Sequence, residues 1–65
     1  MKKKNDLINS YLFMLEEDNI ENYETPNGTV FVLEGNDSWY NLDNPTEVLN
    51  TKKLAERCAD EELNN

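Results

Sequence analysis

The sequence predicts a small α+β domain of order α-β-β-β-α, an antiparallel three-stranded meander packed by two helices. Three observations predict it. Apolar residues recur at helical spacing near both ends of the chain. The middle third holds short β-rich segments punctuated by Asn27-Gly28 and Gly35-Asn36-Asp37-Ser38. A length of 65 residues leaves room for one domain, read as residues 1–65 with frayed ends at 1–5 and 64–65.

The first helix is expected over residues 6–18. Leu7, Ile8, Tyr11, Leu12, Met14 and Leu15 share one face, and Phe13 points away from it. Asn5 or Asp6 can cap its start, and Asn19 can end it. Ile20 to Thr25 reads as a weak, polar edge strand. Pro26-Asn27-Gly28 follows as a tight turn, because Asn-Gly tolerates the positive φ that hairpins require. Thr29 to Glu34 is the strongest strand. Its alternation sends Val30 and Val32 one way and Phe31 and Leu33 the other, so cover is expected on both faces. After the second turn, Trp39 to Leu42 makes the third strand.

Asn44-Pro45-Thr46-Glu47 has the pattern of an N-cap, a proline in the first turn and a glutamate closing a capping box. The last helix is therefore expected from that point, with Val48, Leu54, Ala55, Cys58, Ala59 and Leu63 on its apolar face. Lys52 falls within that face, which predicts a kink or restart near Asn50-Thr51. Both helices are expected on one side of the sheet.

Composition narrows the chemistry. A chain this short buries only about 60% of the surface its unfolded form exposes. An apolar fraction of 37% adds little to its core. Its single cysteine excludes an internal disulfide, and the absence of histidine removes the commonest zinc ligand. The remaining supports are tight helix packing, homo-oligomerisation or docking onto a larger partner. No apolar run approaches the ~20 residues of a membrane span, and Met1-Lys2-Lys3-Lys4-Asn5-Asp6 has no secretory pattern, so a cytoplasmic location is expected.

The expected chemistry is not catalytic. Cys58, the sole thiol, sits on a helical apolar face with no base to activate it, so it reads as core. Glu16-Glu17-Asp18 and Asp60-Glu61-Glu62 are the densest acidic runs, but successive helical residues diverge by about 100° and converge on no metal. Asp37, Trp39, Asn41 and Asp43 alternate like the odd positions of a calcium loop without its glycine and closing glutamate. Neither cofactor nor metal is expected.

Charge is the more specific feature. The net charge is -8, and with Lys2, Lys3 and Lys4 set aside, residues 5–65 carry fourteen acids against three bases. Such a surface repels nucleic acid and anionic membranes and attracts basic proteins. The acids also oppose the helix dipoles, which favour negative charge at an N-terminus by about 0.3–1 kcal/mol each. Lysines open both helices, and Glu16-Glu17-Asp18 and Asp60-Glu61-Glu62 close them.

The sequence reading therefore places partner binding on Glu16, Glu17, Asp18, Asp37, Asp60, Glu61 and Glu62. Phe13, Tyr23, Trp39 and Tyr40 are its aromatic anchors, with core packing the competing role for each and the expected one for Phe31. The partner class is a basic, nucleic-acid-handling protein whose groove the acids occupy in place of phosphates. In size, charge and Asn/Lys-rich composition the chain is similar to the small acidic proteins that phages and other mobile elements use against host enzymes, anti-CRISPR proteins among them. That similarity rests on no motif and transfers no residue. The alternatives are an antitoxin or immunity protein, and a self-assembling structural subunit whose acidity serves solubility.

Overall fold

A computed structural model of the chain describes residues 3–64. Two helices and a four-stranded antiparallel sheet follow in the order α1 (Lys3–Glu17), β1 (Asn22–Glu24), β2 (Val30–Glu34), β3 (Ser38–Asn41), β4 (Val48–Asn50) and α2 (Thr51–Leu63). The α+β class is the expected one, with one strand more than the meander read from the sequence. The Cα radius of gyration is 11.1 Å, close to the roughly 11 Å of a folded chain this long.

Helix α1 begins at Lys3, so Asn5 and Asp6 lie inside its first turns rather than capping them. Of the ends expected to fray, residues 3–5 lie within α1 and Asn64 caps α2, and residues 1, 2 and 65 fall outside the described residues. Asn19 is the stop, at φ 54° in the left-handed region that asparagine tolerates. Thr25 and Thr29 close the β1–β2 loop, the Thr25 amide donating to the Thr29 carbonyl at 2.7 Å. Gly28 at φ 97° supplies the positive dihedral that loop needs.

The segment after β3 corrects the sequence reading. Asn44 starts a turn instead of a helix: its carbonyl accepts the Glu47 amide at 2.9 Å, and its side chain accepts the Thr46 hydroxyl at 2.8 Å. Asparagine followed by proline nucleates either structure, and Val48-Leu49 settles the choice by pairing with β3. The cap of α2 is Asn50, whose Oδ1 accepts the Lys53 amide at 2.8 Å. Starting at Thr51 resolves the conflict at Lys52, which is exposed. Thr51, Leu54, Ala55, Cys58 and Ala59 then form an unbroken buried stripe.

Cross-strand register sorts the sheet into two faces. Tyr23, Phe31 and Asn41 form one row of the inner face, and Leu33, Trp39 and Leu49 the next. Phe31 and Trp39 meet Leu15 from α1 and Leu54, Ala55 and Cys58 from α2, with Ile8, Tyr11, Leu12 and Met14 packed against that cluster. Both helices therefore lie on this side, as expected. The helices thus give no cover to the other face, where Val30 and Val32 are half-buried and stand outside the core cluster, which corrects the helical cover expected on both faces.

The helices run antiparallel. Lys4, near the start of α1, pairs with Asp60 near the end of α2 at 2.6 Å. At the opposite end, Leu15 and Glu16 share a cleft with Thr51. The charges that oppose each helix's own dipole thus face the complementary end of its neighbour. The lysines of α1 stand beside the acids that close α2.

Candidate functional site

The antiparallel packing separates the two acidic runs. Glu16, Glu17 and Asp18 lie at one end of the molecule, and Asp60, Glu61 and Glu62 at the other. The second run is largely engaged by the fold. Asp60 holds Lys4, whose pKa that bond raises. Glu61 accepts from Arg57 Nε at 3.1 Å. Glu62 accepts the Tyr11 hydroxyl, whose pKa rises through burial first and this hydrogen bond second. Arg57 also pairs with Glu47, which accepts from Asn41 Nδ2 at 2.8 Å, and its guanidinium lies 5.7 Å from the Phe31 ring centroid. One arginine so ties the β3–β4 turn, α2 and the sheet together.

Asp37 has a structural task that sequence reasoning did not foresee. Its Oδ1 accepts the Thr51 amide at 2.9 Å, satisfying a donor that the start of α2 leaves open. The Thr51 hydroxyl and amide together hold the Asp37 carboxyl below its ordinary value. The same hydroxyl accepts from Trp39 Nε1 at 3.0 Å. Trp39, 1% exposed, is core and leaves the set of surface anchors, whereas Phe13 is 67% exposed and stays in it. Tyr23 is half-buried, its ring edge-on to Tyr11 at 6.2 Å between centroids. Cys58 is fully enclosed, and burial pushes its thiol up to about 12.

Two of the predicted acids do meet. Glu16 and Asp37 line a cleft of about 360 Å³ between the end of α1, the β2–β3 turn and the start of α2, with Leu15, Ile20, Leu33 and Trp39 contributing its apolar wall. A lining that combines apolar side chains with carboxylates suits a lysine or arginine, whose stem is apolar and whose head is charged. Lys52 and Lys53 follow Thr51 at the same end and moderate this field.

A wider pattern was missed in the sequence: no lysine or arginine stands between Lys4 and Lys52. Every strand and every turn of the sheet falls in that interval. Among the described residues no ion pair reaches Glu16, Glu17, Asp18, Glu21, Glu24, Glu34 or Asp43, while three pairs engage Asp60, Glu47 and Glu61. The strands, their turns and the end of α1 therefore contribute carboxylates and no cation of their own. Among the described residues no cluster of candidate ligands could hold a metal ion, and no helix is long and apolar enough to cross a membrane.

No family model, curated protein or solved structure matches the chain.

Proposed function

We propose that the protein is a small acidic inhibitor or modulator that docks on a basic, nucleic-acid-binding site of another protein, in the manner of phage and mobile-element proteins directed at host enzymes. The observation that carries this reading is the unneutralised field of the sheet and the end of α1. Seven carboxylates there have no ion pair among the described residues. Such a concentration of like charge disfavours the compact state of a small fold. Facing a basic groove, the same charges attract and orient a partner. The cleft at Glu16 and Asp37 supports this reading as a seat for one of that partner's basic side chains. The working role is binding rather than catalysis, and the place of action is the cytoplasm.

The test is a pull-down from host-cell lysate with the tagged protein at low and high salt. The expected result is a basic, nucleic-acid-handling protein retained at low salt and lost as salt rises. A salt-insensitive partner with no basic site would point to a dedicated toxin and the immunity reading. Recovery of the chain alone would favour a self-assembling subunit.

A further inference from the structure

The outer face of the sheet takes no part in the core of the fold. Register places Val32, Tyr40 and Val48 side by side across β2, β3 and β4. Leu42 continues the ladder beside Val30, its amide donating to the Val30 carbonyl at 2.8 Å. Five apolar side chains thus form two adjoining rows. Val48 and Leu42 are 56% and 54% exposed, and Val30, Val32 and Tyr40 are half-buried. None of the five belongs to the core cluster. Singly exposed apolar residues are ordinary, but a contiguous patch on a sheet face marks an interaction surface.

The rim decides what covers it. Glu24 stands beside Val30 in its row, Glu34 follows Val32 on the same face of β2, and Asp43 follows Leu42. No lysine or arginine lies on any strand or on the turns between them. A second copy would bring the same acidic rim and a further -8 of charge. A nucleic acid or an anionic membrane is repelled by the same rim. The complementary surface has an apolar centre ringed by lysine or arginine.

We infer that the outer sheet face built from Val30, Val32, Tyr40, Leu42 and Val48 is the docking surface for a partner protein whose own contact is an apolar centre flanked by basic residues. This rests on the proposed binding of a basic partner and names the face that does it. Tyr40 is the anchor, since aromatic residues dominate interface energetics. Glu24, Glu34 and Asp43 steer the encounter and set its orientation. Of the aromatic anchors expected from sequence, Tyr40 alone sits on this face.

The test is an amide NMR titration of the full chain with two synthetic probes: a short peptide alternating lysine with valine, and an all-lysine peptide of the same length. The expected result is that the alternating peptide shifts the amides of Val30, Val32, Tyr40 and Val48 and binds at least about tenfold tighter than all-lysine, the increment expected from burying two methyl groups. The double variant V32T/V48T, which keeps β-branched shape, should lose that increment. Leu42→Ser, outside β3, repeats the test should the double variant unfold. Equal binding of both peptides with no shift on this face would overturn the inference and leave the acidic-surface reading intact. Binding of neither peptide would overturn both. Shifts on this face that grow with protein concentration alone, with a dimer in sedimentation, would make a second copy the occupant and overturn the inference.

Discussion

Trp39, Thr51 and Asp37 form a chain of hydrogen bonds that joins β3 and the β2–β3 turn to the first turn of α2. Residues 12 and 14 positions apart in sequence meet here, so neither role could be read from local pattern. Cys58, Phe31 and Phe13 were legible, because each is decided by its position on a helical or strand face. Asp37 and Glu47 also carry a pH signature. Both folded-state pKa values lie below the ordinary 3.8 and 4.5: Asp37 through Thr51, Glu47 through Asn41 and then Arg57. Groups with depressed pKa values contribute stability that is full above the ordinary values and is lost as pH falls through the folded ones. Acid unfolding monitored by Trp39 emission should therefore be steeper in the wild type than in the variant Asp37→Asn with Glu47→Gln. Cys58 yields a second expectation. With its thiol pushed up to about 12 and fully enclosed, it should alkylate at neutral pH only as fast as the whole domain opens, which mass spectrometry after timed iodoacetamide exposure would read.

At the scale of elements, α1, the two hairpin turns and the buried stripe of α2 were visible as periodicity and turn chemistry. Residues 44–50 were not, because Asn44-Pro45 and Asn50 both present cap-like asparagines and only tertiary pairing chooses between them. Val48 read as a helical apolar residue because Ala55 and Ala59 follow at i+7 and i+11, and the error hid both the fourth strand and the outer face. The structure makes the two asparagines distinguishable by experiment. Asn50→Ala removes the acceptor for the Lys53 amide and should cost about 0.5–2 kcal/mol in urea unfolding. Asn44→Ala touches only an exposed turn and should stay within about 0.5 kcal/mol of wild type. Equal losses would mean that α2 begins elsewhere.

For the whole molecule, the acidity was plain in the sequence, but its division into used and unused charge was not. That division depends on the antiparallel helices, which bring Lys4 to Asp60 and leave Glu16, Glu17 and Asp18 at the far end. Reversal to lysine should consequently act differently at the two ends. Glu16→Lys with Glu17→Lys places cations at the C-terminus of α1, where its dipole favours them, but beside the start of α2 and Lys52-Lys53, which oppose them, so the melting temperature should stay near that of the wild type. Glu61→Lys sets a cation against Arg57 and should lower it. The core itself has little reserve: Leu54 is fully buried, and Leu54→Ala, at about 2–5 kcal/mol, should unfold most of the population, since a domain this small holds only about 3–5 kcal/mol in its core.

The central claim is that the unpaired acids serve a basic partner rather than the fold. Its most direct test is the affinity of the partner recovered by pull-down, measured across a salt series for the wild type and for a variant with Glu16, Glu17, Glu24 and Glu34 changed to glutamine. Weaker binding, a flatter dependence on salt and an unchanged fold are expected. Wild-type affinity with an unchanged salt slope would contradict the central claim, and the charge would then serve solubility alone.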